Sequence, residues 1–444
     1  MRTYPPYPAY RASGVEWLGE IPEHWEVHRL KNVARILFSN VDKLTVDDEQ
    51  PVLLCNYIDV YKNESITHEL EFMKASATGE EIRKFSLEKS DVLITKDSES
   101  WNDIAIPALV SDELENVLCG YHLAMIRSNS DRIDERYLFR SLQSRQINYQ
   151  LEVEATGVTR YGIDQYAVRN SLVLLPPLSE QRAIAGFLDR ETARIDALTA
   201  RYRRLIELLN EKRTSLISRA VTKGLDPSAA LKDSGVEWLG EIPEHWGISK
   251  IKFVSSINMG QSPNSEECNQ NRIGKPFLQG NAEFGRASPI PRNYCETAKK
   301  EAHPGDYLLS VRAPVGALNV ADQIYGIGRG LCAIRPHSKI LEHRFTWYLL
   351  TFYRKQLEVV STGSTYDAVS IYQVGNAICV LPTLSEQRAI AGFLDRETAR
   401  IDTLKEKALE MINKLQEYRT ALISAAVTGK IDVRNEGEQD GRNL

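Results

Sequence analysis

His24 and His245 are the side chains best suited by type to move a proton. Each stands before a tryptophan in the same block, SGVEWLGEIPEHW, at Ser13–Trp25 and again at Ser234–Trp246. Catalytic geometry needs a particular set of partners, and identical surroundings at both places point to packing or capping instead. Gly326-Ile327-Gly328-Arg329-Gly330 would cradle a phosphate if it opened a helix, but it precedes a strand pattern. No GxxxxGKS/T, GxGxxG or HExxH motif occurs. Cys55, Cys119, Cys268, Cys295, Cys332 and Cys379 form no CxxC pair, which suits a reducing cytoplasm and argues against a metal site. The paired carboxylates fall on helix faces, where solvation is the default. The chain reads as non-enzymatic, with no cofactor of its own.

What must position these residues is a repeat. Leu178–Asp196, LSEQRAIAGFLDRETARID, returns verbatim at Leu384–Asp402. The opening block recurs at a spacing of 221 residues and this closing block at 206, so the middles, 26–177 and 247–383, differ in length as well as sequence. Two identical frames with unlike inserts suggest one scaffold presenting two readers. At 444 residues the chain has room for two to four domains. Its 42% hydrophobic and 26% charged residues fit an ordinary globular protein. No run of eighteen apolar residues is present, and the start lacks a secretory pattern. A net charge of −5 argues against nonspecific coating of nucleic acid but leaves room for local basic patches.

Each closing block begins a helix. Pro176-Pro177 precedes it, Ser179 offers an N-cap and Glu180 suits the helix dipole. Apolar residues then recur in steps of four and three: Ile184, Leu188, Ile195, Leu198, Tyr202, Leu205, Leu209 and Leu216. The second copy runs Ile390, Leu394, Ile401, Leu404, Ala408, Met411, Leu415 and Leu422. A period near 3.5 over about five heptads predicts a coiled-coil seam. Gly224 and Gly429 mark the ends. A helix of roughly forty residues spans about 60 Å. The two are expected to pair with each other, and the short polar linker 225–233 makes an antiparallel pair with a lobe at each end the economical arrangement.

The inserts read as mixed strand and helix. Asp91–Thr95 and Leu123–Ile126 predict buried strands, matched by Tyr307–Val311 and Leu331–Ile334. Arg136–Gln146 and Arg344–Leu357 predict helices. Thr156-Gly157-Val158-Thr159 is matched by Thr362-Gly363-Ser364-Thr365, so the inserts share a fold while their loops differ.

This architecture, with LPPLSEQRAIAGFLDRETARID and LPTLSEQRAIAGFLDRETARID, resembles the DNA-specificity subunit of type I restriction-modification systems. Further likenesses are LLSVRAPVG with GIGRGLCAIRP in the second insert, and LITKDSESW with CGYHLAMIR in the first. The resemblance implies a mixed α/β (α+β) fold: two globular target-recognition domains separated by two long antiparallel coiled-coil helices in a pseudo-two-fold repeat. Its expected bounds are 1–177 and 225–383 for the recognition domains, 178–224 and 384–429 for the helices, and 430–444 for a polar, disordered tail. It implies a partner set of double-stranded DNA, two modification subunits and restriction subunits, without a membrane. S-adenosylmethionine, ATP and Mg are expected on those partners.

Base readout needs Arg, Lys, Asn, Gln or Ser on loops at strand ends. In the first insert the candidates are Lys96, Ser98, Trp101, Asn102, Tyr121, Arg160 and Tyr161. In the second they are Gln279, Asn281, Arg312, Arg329, Ser364 and Tyr366, with Arg312 and Arg329 placed beside small residues that would let DNA approach. Two other classes compete. A two-lobed protein-interaction scaffold without DNA binding would enrich no bipartite sequence from random duplexes, and a complete duplicated methyltransferase would transfer methyl groups alone.

Overall fold

Ala, Leu, Glu and Arg dominate LSEQRAIAGFLDRETARID and all favour helix. The computed structural model, which describes residues 4–361 and 368–436, has continuous helices at Leu178–Lys223 and Leu384–Val427. Their starts differ from the expected cap. Ser179 lies inside the first turn, and the Pro177 carbonyl accepts from the Glu180 and Gln181 amides. In the second helix Thr383 replaces that proline and closes a capping box: its hydroxyl accepts from the Glu386 amide at 3.3 Å, while Glu386 accepts from the Thr383 amide at 3.0 Å. Both helices stop before a left-handed glycine, Gly224 at φ +75° and Gly429 at φ +69°.

The chain divides into two compact units. The first joins everything up to Tyr202 with the segment from Glu410 onward; the second runs Arg203–Leu409. Each unit thus holds the early part of one long helix and the late part of the other. In the first unit Arg419 reaches Asp196 at 3.1 Å, and in the second Arg213 reaches Asp402. Early residues of one helix meet late residues of the other, so the pair is antiparallel. The two ion pairs are related by the 206-residue repeat.

The seam departs from the expected one. Leu205, Leu404 and Met411 are exposed, at 41%, 43% and 38%. Thr192, Thr199, Leu209 and Ile217 are buried on the first helix, and Thr398, Ala408, Ile412 and Leu422 on the second. The true stripe steps four from Ile195 to Thr199, where an apolar-only pattern steps three to Leu198. Threonine hides the register because its methyl packs while its hydroxyl turns back to the helix, as Thr398 does toward the Leu394 carbonyl at 2.7 Å. Of the residues placed on the seam by sequence, Ile184, Leu188, Ile195, Leu209, Ile390, Leu394, Ile401, Ala408 and Leu422 are buried, and Leu198 and Leu415 are half-buried.

The inserts share a central sheet. In the first unit its order is Ala34–Phe38, Leu123–Ser128, Val92–Thr95, Pro107–Val110, Ser65–Ile66. In the second it is Ser255–Met259, Leu331–Pro336, Tyr307–Ser310, Leu318–Val320. All four expected strands fall here. The expected helix 136–146 is two, Glu135–Gln143 and Arg145–Glu152, because Ser144 turns extended between them at ψ 119°. Its counterpart is continuous over His343–Ser361.

The verbatim blocks grip these inserts identically. Gln181 and Gln387 are fully buried. Gln181 donates to the Arg132 and Pro176 carbonyls and accepts from the Asp134 amide; Gln387 donates to Ile340 and Pro382 and accepts from Glu342. About two to three helix turns on, Asp189 and Thr192 take the Arg140 guanidinium, while Asp395 and Thr398 take the Tyr348 hydroxyl. Residues 430–436, expected to begin a disordered tail, instead pack on the first unit: Val433 is buried and the Asp432 amide donates to the Pro5 carbonyl. An apolar residue inside a polar run had found a core position.

Candidate nucleic-acid interface

The tempting histidines are structural. In the first unit Glu180 is buried and its two oxygens take His24 Nε2 at 2.8 Å, Trp25 Nε1 at 2.9 Å and the Tyr7 hydroxyl at 2.6 Å. Burial and then the bond to Glu180 push the Tyr7 phenol upward. In the second unit Glu386 takes His245 and Trp246 the same way, at 2.8 and 3.2 Å. Desolvation opposes its ionisation, but bonds from His245, Thr383 and Trp246 outweigh it and hold the carboxyl at about 2. The opening block therefore anchors to the closing block, and the glycine after the other helix packs beneath the same tryptophan. A side chain at Gly429 would meet Pro22 at 2.4 Å.

The sequence candidates gather where the central strands run out. In the first unit Leu123 pairs with Thr95, and the Lys96 amide continues to the His122 carbonyl at 3.0 Å. Asp97–Ser98 then leaves the central sheet to pair with Tyr161–Gly162, which pairs with Thr156–Gly157. The hairpin tip is Val158, Thr159 and Arg160, with Val158 91% exposed. Gly157 (φ +150°) permits the tip, since a Cβ there would lie 1.9 Å from the Arg160 carbonyl. In the second unit Ser310 pairs with Leu331, the Val311 amide donates to the Gly330 carbonyl, and Arg312 bridges to Ala368. The Val369 amide returns to the Val311 carbonyl as the Ile163 amide does to that of Lys96.

The sequence candidates divide on this geometry. Lys96 is half-buried, donates to the Ser39 carbonyl at 2.9 Å and lies 4.4 Å over the Tyr121 ring. Desolvation pulls its ammonium below the ordinary lysine range against the opposing charge of Asp97. Ser98 is buried and accepts from the Ser100 amide, so its role is in the turn. Trp101, Asn102, Tyr121 and Arg160 are exposed, and Tyr161 is half-buried in its strand. In the second unit Gln279, Arg312 and Arg329 are exposed and Asn281 is half-buried. Gln279 Nε2 and the Arg329 amide both donate to Ser262 Oγ. Among the described residues neither Arg312 nor Arg329 has an ion-pair partner. The adjacent glycines do not open a path for DNA: a Cβ at Gly260 would lie 2.1 Å from the Gly328 carbonyl, and one at Gly330 2.6 Å from that of Gln279. They are small because three chain segments touch there. Ser364 and Tyr366 lie outside the described residues.

Two features escaped the sequence. One is a matched strut behind each mouth: Arg127 pairs with Asp91 at 2.7 Å and Arg335 with Asp306 at 2.6 Å. The arginine ending CGYHLAMIR and the one in GLCAIRP were its signal. The other is Asp97 with His122, hidden because a lone acid and a lone histidine far apart in sequence carry no pattern.

Family comparison decides what this fold is for. A model of the type I restriction modification DNA specificity domain matches twice, at residues 22–208 and 243–414. The chain belongs to the DNA-specificity family of type I restriction-modification systems. A putative type I restriction enzyme specificity subunit, MjaX of Methanocaldococcus jannaschii, is 30% identical over 94% of this chain and 96% of its own length. A second from that organism, the MjaVIII specificity subunit, is 24% identical over 94% and 95%. Among solved structures, a chain from work on complex assembly and conformational transition of the type I R-M system has a TM-score of 0.75. It is 26% identical and covers 93% of this chain and 99% of its own. The HsdS subunit from Thermoanaerobacter tengcongensis has a TM-score of 0.56 at the same identity, covering 93% and 98%. As a specificity subunit, the chain is the sequence-specific DNA-recognition component of such a system. No helix among the described residues is long and apolar enough to cross a membrane.

Proposed function

We propose that each unit of this specificity subunit reads one half of a split, asymmetric DNA site, and that the paired helices fix the unread interval. The observation that carries this is the contrast between frames and mouths. The buried glutamine and the histidine–tryptophan–glutamate contacts of the frame recur in both units, while the exposed side chains at the two equivalent strand ends differ. The domain bounds 1–177, 178–224, 225–383 and 384–429 remain the proposed division of labour.

Identical frames also suit two copies of one partner. Trp17 and Trp238, equivalent residues of the opening block, each line a groove beside the late part of a long helix. The first is shared with Tyr149, Thr420 and Ser424, the second with Phe352, Thr214 and Ser218. The proposed occupants are two modification subunits that methylate adenine with S-adenosylmethionine, joined in a cytoplasmic complex by restriction subunits using ATP and Mg. In this reading catalysis belongs to the partners and none to this chain.

The test is the methylation pattern of DNA modified by the chain together with its modification partner. A bipartite asymmetric site is expected. At about 3.4 Å per base pair, a helix near 60 Å covers roughly 18 base pairs, and the unread interval is shorter because the readers overhang it. Inserting four residues near Arg203 lengthens the interval and leaves both half-sites unchanged. An unchanged interval would remove the spacing role, and a site without two halves would remove the whole reading.

A further inference from the structure

At the mouth of the first unit one carboxylate holds two side chains. Asp97, with little exposure, accepts Arg160 Nε at 3.1 Å and Nη2 at 2.5 Å on Oδ1, and lies 2.8 Å from His122 Nδ1 through Oδ2. Arg160 Nη2 and His122 Nδ1 are themselves 3.2 Å apart. A carboxylate only accepts, so the proton between Asp97 and His122 sits on Nδ1, and the close arginine is a second donor to the same acid. In the neutral ring Nε2 is then an acceptor. Neither His122 Nε2 nor Arg160 Nη1 has a partner among the described residues. The His122 ring is steadied edge-on by Tyr121 at 5.0 Å, whose own face carries Lys96.

We infer that Asp97, Arg160 and His122 form the principal base-reading element of the first unit, taking a guanine and a neighbouring base that offers an exocyclic amine. With Nε occupied, Arg160 presents its Nη1–Nη2 edge, the pair of donors that fits guanine O6 and N7 in the major groove. His122 Nε2 supplies the complementary acceptor for adenine N6 or cytosine N4. Asp97 touches no base; it is a positioning residue that orders both readers before DNA arrives, which lowers the entropy lost on binding. Arg160 is itself exposed beside the tip residue Val158. The second unit has Arg312 where the first has Asp97, so this element is peculiar to one half-site. The inference rests on the reading of each unit as a half-site reader.

The experiment uses the full chain with its modification partner on a random duplex library, sequencing methylated products and scoring the half-sites separately. R160K keeps the charge but loses the planar fork, and is expected to cut discrimination at one guanine of one half-site by about 5- to 150-fold. H122A relaxes an adjacent position, H122Q, which retains an acceptor, restores part of it, and D97N relaxes both positions together. The half-site of the second unit stays unchanged in every variant and serves as the folding control. If the wild-type chain gives a bipartite site and R160K and H122A leave every position as it was, this element is not the reader. If D97N weakens both half-sites equally, Asp97 is structural and the positioning role falls. If the wild-type chain gives no bipartite site, the half-site reading itself has failed.

Discussion

The two strand mouths are built alike and armed differently. In the first unit the residues two past the last pair, Thr95 and Leu123, are Asp97 and Tyr121; in the second the residues two past Ser310 and Leu331 are Arg312 and Arg329. One mouth uses an acid to hold its arginine from a neighbouring hairpin, and the other places two arginines directly on the strand ends. Meanwhile the residues that hold each mouth in place, Gln181 and Gln387 or Arg127 and Arg335, make the same bonds. The difference teaches where the two units diverge: in the side chains past the last paired residue of a shared sheet, which the proposed function makes the readers.

The comparison breaks most visibly if the frame is cut on one side. Trp25→Ala removes a fully buried ring and leaves Glu180 short of a donor, at an expected cost of about 3–5 kcal/mol. Hydrogen exchange should show protection lost in the first unit and kept in the second, and Trp246→Ala should give the mirror result. Equal loss in both units from either variant would mean that the frames are not independent.

A smaller effect sharpens the contrast between mouths. Arg312→Ala should lower discrimination at one half-site by about 1–3 kcal/mol and leave the other untouched, read by sequencing methylated products. Loss at both halves would indicate an assembly defect rather than a lost base contact.

The mildest test concerns acid. The Glu386 carboxyl is held at about 2, below its ordinary 4.5. A depressed carboxylate adds stability that is present above its unfolded value and lost as pH falls through the folded one. The second unit should therefore weaken between about pH 4.5 and 2, and Glu386→Gln should flatten that part of its acid-unfolding curve. A curve of unchanged shape in the variant would show that His245 and Thr383 contribute nothing through this carboxylate.

How much of this was legible depended on whether a residue announces its role by type. Verbatim repeats announced the frame, and runs such as Val92–Thr95 and Tyr307–Ser310 announced buried strands because every residue in them is apolar or small. The seam was misread at Leu198, Leu205 and Leu404 because a buried threonine looks polar on paper. Ser144 gave no sign of splitting a helix, since serine is tolerated inside helices and its extended turn is imposed by packing. Arg160 was legible as a basic residue in a loop. Asp97 and His122 were not, because the bonds that join Asp97 to Arg160 and to His122 cross 63 and 25 residues of chain.

Arg140 and Tyr348 carry a last consequence. They are unlike in charge, length and shape, yet both satisfy the same aspartate–threonine pair about three turns into an identical helix stretch. The fitting asks for a hydrogen-bond donor at that height and is indifferent to what carries it, while the glutamine beside the helix start reads only insert backbone. The helix face is thus a socket that accepts plugs of different make, and the demands it places on an insert leave the rest of that insert's sequence free.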